Sequence, residues 1–243
     1  MNEVLRRIAS HRSVRDFHPT PVPDDDVRRA VEAARFAATS SWIQAYALLQ
    51  VVDARERTLL RELTGDQPQV ERAGAFFVLC GDTRRHRLVA EREGAEYASN
   101  LETFLLAAID ATLFAQNLVL AFEALGFGTC YIGGLRNRLP EVDRLLEIPR
   151  GVYPFFGLCV GEPASDPGQR PRLPVEAVWF RGRFPDDAAT LAGIEEHDRE
   201  AAAYYAARGA AGRTWSGGMW RKFRVARREP LFGYYRSKGA RFE

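Results

Sequence analysis

The stretch LETFLLAAIDATLFAQNLVLAFEAL at residues 101–125, followed by GFGTCYIGG at residues 126–134, decides the fold. Apolar residues lie on nearly every side of the first segment, which predicts a long helix with protein packed around most of it. Polar residues, among them Asp110 and Glu123, interrupt this segment, so it does not resemble a membrane span. The glycines of the second segment predict the end of the helix and then a buried strand.

Short apolar segments on both sides of this helix predict the strands of a sheet. Residues 47–52, 75–80 and 155–161 are rich in β-branched or aromatic residues, and a charged helical segment follows each of the first two. The segment VEAVWF at residues 175–180 predicts one more strand. Strands and helices interleave without a sustained βαβ period, which favours an α+β domain with helices flanking one sheet.

Further helices are predicted at the two ends of the chain and between the strands. The patterns place them at residues 2–10, from Asp24 onward, and at 140–148 and 188–208. The segment GAAGRTWSGG at residues 209–218 predicts a mobile, glycine-rich loop, and a basic tail follows it.

The composition argues against several classes of partner. The chain has 243 residues, 46% of them hydrophobic, and its 34 basic and 32 acidic residues leave a net charge of +2. This balance predicts no nucleic-acid partner and no membrane partner. The N-terminus lacks the apolar core of a signal peptide, so we expect a cytoplasmic protein.

The cysteines, histidines and glycines exclude several kinds of chemistry. Cys80, Cys130 and Cys159 are widely separated within apolar segments, which indicates reduced core thiols. The four histidines show no metal spacing, and HExxH, GxSxG and P-loop motifs are absent from the sequence, so no metal is expected. Tyr131 stands where a dinucleotide fingerprint needs its third glycine.

Four short motifs could bind a ligand, and each also has an ordinary structural explanation. HRSVR at residues 11–15 and RPRLP at 170–174 suit an anion, but either could be an exposed basic loop. The glycines at the end of CYIGG, residues 130–134, would let a flat ligand approach the backbone, or they form a tight turn. TSSWIQ at residues 39–44 could hydrogen-bond a heterocycle or be a simple turn.

Taken together, these motifs resemble the nitroreductase family. HRSVRDF, TSSWIQ, Gln67 after TGD, AQN…ALGFGTCYIGGLRN, RPRLP and YYAARG occur in its order and spacing. They are most similar to its NADPH-preferring branch, the oxygen-insensitive major nitroreductases and the flavin reductases. The similarity covers essentially the whole chain.

The resemblance implies the overall organisation of the protein. It implies a mostly antiparallel central sheet flanked by helices in an intertwined homodimer, with FMN sites at the interface. Residues 1–243 would form a single FMN-dependent domain, in which residues 181–243 are a C-terminal extension with a mobile loop and dimer contacts. Part of the apolar surface of the 101–125 helix would then be dimer contact.

The resemblance also assigns residues to cofactors. The expected FMN-binding residues are His11, Arg12, Ser13, Arg15, Ser40, Ser41, Gln67, Tyr131, Ile132, Gly133, Gly134, Arg170 and Arg172. Arg170 and Arg172 would bind the phosphate, with His11 and Ser13 beside them, and Arg15 would stabilise negative charge on the reduced pyrimidine. An amide of Gly133 or Gly134 would face flavin N5. Arg136, Arg208 and Arg213 would bind NADPH.

The implied activity is transfer of two electrons from NADPH to nitroaromatics, quinones or related small acceptors by a ping-pong mechanism. The flavin carries the chemistry, so no side chain is expected to act as an acid or base. The alternatives are a flavin reductase that supplies reduced FMN and a non-enzymatic flavin-binding redox sensor. Trp42 is bulkier than expected at its position, and it would either narrow the acceptor pocket or lie in the core.

Overall fold

The computed structural model describes residues 2–243, which form two compact units. The first unit contains residues 2–167 together with residues 228–243, and the second contains residues 168–227. In the described chain the last sixteen residues thus belong with the N-terminal part. The single-domain organisation over residues 1–243, with a 181–243 extension, stays a prediction.

The first unit contains four strands and eight α-helices within the described residues. In chain order they are α1 (Glu3–Ala9), α2 (Asp24–Ala34), β1 (Tyr46–Gln50), α3 (Ala54–Leu63), α4 (Pro68–Arg72), β2 (Ala75–Asp82), α5 (Arg84–Arg92), α6 (Leu101–Ala124), β3 (Gly128–Ile132), α7 (Leu139–Leu145), β4 (Val152–Gly161) and, from the end of the chain, α10 (Leu231–Ser237). Short 3-10 helices cover Ser40–Trp42 and Gly133–Asn137.

The four strands form one antiparallel sheet in the order β1-β2-β4-β3. Leu48 pairs with Leu79 across β1 and β2, and Phe77 pairs with Leu158 across β2 and β4. Both central strands are almost fully buried, which explains why their sequences are continuously apolar rather than alternating. The predicted antiparallel sheet flanked by helices is confirmed.

The long helix α6 packs across the sheet and against α2. Its first turn is fixed by a capping box, in which the Asn100 side chain accepts from the Thr103 amide and the Thr103 hydroxyl accepts from the Asn100 amide. On the sheet side, Phe114 stacks on Tyr46 with ring centroids 4.5 Å apart. The prediction of a central helix is therefore confirmed.

The opposite face of α6 is more exposed than the sequence pattern predicts. Leu101, Leu105, Ile109 and Leu113 follow one another at intervals of four residues, and each is 43–52% exposed. The apolar pattern is continuous around the helix because the exposed face is as apolar as the buried one. Protein of the same chain covers only part of this helix.

The second unit contains a short 3-10 helix and two α-helices. These are Val175–Ala177, α8 (Asp187–Ala206) and α9 (Trp215–Phe223). The strand predicted at residues 175–180 is wrong, because this segment has no pairing strand among residues 2–243 and Val175, Val178 and Trp179 are 56–64% exposed. The predicted loop at residues 209–218 is partly wrong, since α9 begins inside it at Trp215 with Thr214 as its N-cap.

Candidate functional site

The N-terminal loop at residues 10–15 lies along the outer edge of β3. Ser13 forms a parallel bridge with Thr129, and the Val14 amide donates to the Thr129 carbonyl at 2.9 Å. The Val14 side chain is buried, so it anchors the loop while its polar neighbours stay near the surface. This attachment fixes His11, Arg12, Ser13 and Arg15 relative to the sheet.

His11 is oriented by an acidic residue of α6 that sequence analysis did not assign to the site. His11 Nδ1 lies 2.6 Å from Glu123 Oε1, and the Thr129 hydroxyl donates to the same oxygen at 3.3 Å. Glu123 is only 8% exposed. The available sequence signal is a carboxylate near the end of a mostly apolar helix, a pattern that by itself argues only against a membrane span.

Two arginines of the loop supply positive charge. Arg12 Nε forms an ion pair with Asp166 Oδ1 at 2.7 Å, and its Nη1 donates to the Ser10 carbonyl at 3.1 Å. Arg15 is exposed, and its Nη1 lies 3.4 Å from the Ser13 carbonyl. Arg12 is therefore held by the protein, whereas the Arg15 guanidinium faces solvent.

Hydrogen bonds to Asp110 attach the serine turn, residues 39–44, to α6. This carboxylate is fully buried and accepts from the Ser40 amide at 3.1 Å and the Ala45 amide at 3.0 Å. Within the turn, Ser41, Trp42 and Gln44 have positive φ values of 46–61°, which non-glycine residues adopt rarely. Strained backbone of this kind occurs often at binding sites. Asp110, like Glu123, was missed by sequence analysis as a residue that supports the site.

The sequence left two environments open for Trp42, an acceptor pocket and the core. It is 83% exposed, so placement in the core of its own chain is excluded. Its effect on an acceptor pocket stays a prediction.

The end of β3 combines an open glycine with a tightly packed one. A methyl group at Gly133 would meet only Arg136 Nη2, at 3.5 Å, whereas one at Gly134 would overlap the Thr64 carbonyl oxygen and Gln67 Nε2. Gln67 Nε2 donates to the Thr64 carbonyl at 2.8 Å. Gln67 and Gly134 are therefore neighbours, as the resemblance expects of two residues of one site.

Tyr131 and Ile132 occupy opposite faces of the same strand. Ile132 is fully buried, whereas Tyr131 reaches the surface and packs edge-on against Phe156 with ring centroids 5.3 Å apart. About 10 Å of strand separates Thr129, where the N-terminal loop is attached, from Ile132, which precedes the open glycine. The strand thus connects a cationic end with an end that a flat group can approach.

The basic residues expected to meet NADPH lie in different settings. Arg136 donates through Nη1 to the Phe155 carbonyl, so it has a partner within the first unit. In the second unit, the Arg208 guanidinium lies 4.0 Å from the ring centroid of Tyr204, and that of Arg213 lies 5.8 Å from Tyr205. Both arginines are exposed at the C-terminal end of α8 and in the loop that follows it.

The expected phosphate pair lies in the loop of the second unit. Arg170 and Arg172 are both exposed, and Arg172 Nη1 donates to the Arg170 carbonyl at 3.0 Å. The guanidinium of Arg172 is therefore folded back over its own loop. Their role at the phosphate stays a prediction.

The arrangement suits binding of an anionic, flat molecule better than acid–base or metal chemistry. Arginine, imidazole and hydroxyl groups can donate hydrogen bonds to a phosphate, and glycine at a strand end leaves room for a ring. In residues 2–243 no group of three or more His, Cys, Asp or Glu side chains is arranged to hold a metal ion. Fold and site together define a flavin-type oxidoreductase class in which the cofactor carries the chemistry.

Comparison with known proteins identifies the family within this class. The model of the nitroreductase family matches residues 8–162, and that of the nitroreductase family C-terminal domain matches residues 170–243. The chain therefore belongs to the nitroreductase family.

Similar proteins match the chain over nearly its full length. The FMN reductase (NADPH) of Bacillus subtilis is 38% identical over 98% of each chain, and the oxygen-insensitive NADPH nitroreductase of Salmonella typhimurium is 36% identical over 98% of each. Among solved structures, NfrA1 of B. megaterium superposes with a TM-score of 0.95 at 39% identity, covering 98% of this chain and 99% of that one. The NADPH:FMN oxidoreductase from Vibrio harveyi complexed with NAD+ gives a TM-score of 0.89 at 34% identity, covering 98% and 99%.

Proposed function

We propose that the protein is an FMN-dependent oxidoreductase that takes two electrons from NADPH and passes them to nitroaromatics, quinones or related acceptors in a ping-pong cycle. The observation that carries the proposal is the attachment of the cationic N-terminal loop to β3, the strand that ends at the open Gly133. The names of the relatives, which include NADPH-flavin oxidoreductase and NADPH nitroreductase, support the same activity.

The residues present fit FMN by their chemistry. Arg15 and His11 are suited to an anion, the Ser40–Trp42 turn offers hydroxyl and amide groups, and the space beside Gly133 admits a planar ring. The buried Glu123 oxygen Oε2, which has no partner within residues 2–243, marks a polar network that is incomplete in the protein alone. When bound, FMN supplies the redox chemistry, since it accepts electrons from one substrate and delivers them to the next.

The protein's own residues then have binding and tuning roles. Arg15 stabilises negative charge on the pyrimidine side of the ring, and Arg170 and Arg172 bind the phosphate. Arg136, Arg208 and Arg213 are the candidates for NADPH. The remaining assigned residues, His11, Arg12, Ser13, Ser40, Ser41, Gln67, Tyr131, Ile132, Gly133 and Gly134, hold the phosphate, the ribityl chain or the ring.

The exposed face of α6 supports a homodimer. Four large aliphatic side chains, Leu101, Leu105, Ile109 and Leu113, form one exposed stripe, and such a stripe is typical of a subunit interface. We infer a soluble dimer, because α6 also packs on the sheet and α2 and carries the buried Asp110 and Glu123. Its cytoplasmic location stays a prediction.

A second candidate function is reduction of free flavin to supply reduced FMN to a partner. The names FMN reductase (NADPH) and NADPH-flavin oxidoreductase of two relatives favour it. Steady-state turnover with free FMN, compared with a nitrofuran and a quinone, separates the two activities. A third hypothesis is a non-enzymatic redox sensor. Loss of the bound flavin's absorbance on addition of NADPH under anaerobic conditions would exclude it.

The first test is whether the purified protein binds FMN. We expect a yellow protein, or a colourless one that FMN reconstitutes, and failure of both refutes the proposal. Arg15→Ala is then expected to slow flavin reduction more than it weakens FMN affinity, and Arg172→Ala to do the opposite. Arg181→Ala, at another exposed arginine of the second unit, is the control and should change neither. The reverse pattern would show that the two roles are exchanged.

A further inference from the structure

The first unit contains a cavity that none of the residues expected to bind FMN or NADPH lines. It has a volume of about 400 Å³ and lies between α5, the irregular segment at residues 93–100, the loop before β4 and the C-terminal residues 238–241. Sites for small molecules have volumes of about 300–1,000 Å³, so this cavity is large enough to hold one.

One part of the cavity wall is polar although it is buried. Thr83, Tyr153 and Lys238 line the cavity and are only 2–7% exposed. The hydroxyl oxygens of Thr83 and Tyr153 are 3.2 Å apart, and Lys238 Nζ donates to Asp143 at 2.7 Å and to the Ile148 carbonyl. These contacts neutralise Lys238 and fix the polar groups of the wall in position.

The solvent side of the cavity carries arginines that have no acidic partner. Arg150 and Arg241 line the cavity, and neither forms an ion pair within residues 2–243. The acidic residues in the lining are Glu91, which Arg87 contacts, and the exposed Glu96. Two unpaired arginines therefore lie opposite one unpaired glutamate, so the cavity favours a ligand with a negative charge.

Arg150 is held in place by a glycine rather than by a carboxylate. Gly239 has a φ of +100°, and a methyl group there would meet Arg150 Nε at 3.2 Å and Cζ at 3.8 Å. The Gly151 amide donates to the Lys238 carbonyl at 2.8 Å, and the Ser99 hydroxyl donates to the Gly239 carbonyl at 3.0 Å. Three segments of the wall are thus joined around a guanidinium that keeps its charge, which lowers the entropic cost of binding a ligand.

The remaining groups of the lining select a ligand that also carries hydroxyl groups. Guanidinium groups bind phosphate and carboxylate in bidentate fashion, but the Glu96 carboxylate would repel a ligand that offers only negative oxygens. A ligand hydroxyl can donate to Glu96, and the Tyr97 hydroxyl can accept from or donate to another. Arg87 Nε is buried and has no hydrogen-bond partner among residues 2–243, so the polar network is incomplete in the protein alone.

We propose that this cavity binds a small organic anion that carries hydroxyl groups, with Arg150 and Arg241 on its phosphate or carboxylate group and Glu96 on its hydroxyls. The proposal goes beyond the proposed function and does not depend on it, because no residue assigned to a cofactor takes part. A ligand in the cavity contacts α5, residues 93–100 and the C-terminal residues at once, so its binding stabilises the first unit.

Calorimetric titration of the FMN-saturated protein with glucose 6-phosphate and with citrate tests the site, and glucose is the uncharged control. We expect saturable binding of at least one of the two anions and none of glucose. Arg150→Gln should raise the Kd of that anion about tenfold, because a charge-assisted contact is lost. Arg84→Gln removes the same charge from an exposed position of α5 that does not line the cavity, and it should leave the Kd within twofold of wild type.

Hydrogen exchange of the backbone amides provides a second readout. We expect the anion to slow exchange in residues 93–100 and 238–241 of the wild type and to leave it unchanged in Arg150→Gln. Tighter binding of glucose 6-phosphate or of citrate supports the site and identifies phosphate or carboxylate as the charged group.

Three results would overturn the proposal: no saturable binding of either anion, an unchanged Kd in Arg150→Gln, or an equal loss of affinity in Arg84→Gln. A protein that binds no FMN refutes the proposed function instead. The same titrations of the protein as purified then decide the anion site through their dependence on Arg150.

Discussion

Alanine substitution at the two adjacent glycines after β3 should have opposite consequences. At Gly134 the added methyl group overlaps the Thr64 carbonyl oxygen and Gln67 Nε2, and one or both must move by roughly 1 Å to reach ordinary van der Waals contact. The Thr64 carbonyl also accepts from Gln67 Nε2 at 2.8 Å and from Asn137 Nδ2 at 3.2 Å, so the movement disturbs two hydrogen bonds. At Gly133 the methyl group has only ordinary contact with Arg136.

The expected magnitudes follow from these contacts. Overpacking costs about 1–3 kcal/mol and each disturbed hydrogen bond about 1 kcal/mol, so Gly134→Ala should lower the free energy of unfolding by about 3 kcal/mol. Gly133→Ala should change it by less than about 0.5 kcal/mol. Because the flavin is proposed to lie against this glycine, Gly133→Ala should nevertheless weaken FMN binding.

Urea denaturation of the apoprotein at fixed concentration, with FMN affinity measured by quenching of flavin fluorescence, checks both parts. A loss below about 1 kcal/mol for Gly134→Ala would refute the packing argument. An unchanged FMN affinity in a folded Gly133→Ala protein would refute the placement of the ring beside β3.

Three further predictions concern buried polar groups. Asp110→Ala leaves the Ser40 and Ala45 amides without their acceptor and should lower the free energy of unfolding by about 3 kcal/mol in urea denaturation. Thr112→Ala, at an exposed position of the same helix, should cost little. Equal losses would contradict a stabilising role for the hydrogen bonds of Asp110 to the serine turn. Lys238→Met removes the donor to Asp143, 2.7 Å away, and to the Ile148 carbonyl, and it should lower the free energy of unfolding by about 2 kcal/mol. The exposed Lys222→Met should cause no measurable change. Burial raises the pKa of the Cys80 thiol from 9.0 to about 12, so its contribution to stability is complete below pH 9 and is lost as the pH rises toward 12. Wild type should therefore lose more stability than Cys80→Ala between pH 9 and 11, and native Cys80 should resist iodoacetamide at pH 8. Parallel pH profiles of the two proteins, or rapid alkylation of Cys80, would contradict this prediction.

Much of the first unit could be predicted from sequence because its signals are strong and local. Continuous apolar runs gave β2 and β4, and the predicted helix at residues 101–125 agrees with Leu101–Ala124 to within one residue. The glycines after residue 125 ended the helix where expected, with Gly126 at a φ of +94°.

The misses occur where local pattern and long-range contact disagree. VEAVWF has strand composition, but strands form only with a pairing partner, and the structure provides none for it within residues 2–243. The glycines at 217 and 218 suggested a loop, yet the Thr214 cap and the contacts of Ser216 with Asp198 stabilise a helix there. The supporting roles of Asp110 and Glu123 depend on partners 65 to 112 residues away, which no local pattern reveals.

The bridge between Ser13 and Thr129 also sets the order in which the binding region can form. The two residues are more than a hundred positions apart, so the N-terminal loop has no edge to dock on until β3 has been synthesised and paired with β4. A chain emerging from the ribosome therefore exposes its cationic segment long before that segment has a fixed conformation. Because the N-terminal loop is proposed to bind FMN, we expect FMN binding to follow formation of β3, and a fragment that ends before residue 128 should retain no affinity for FMN.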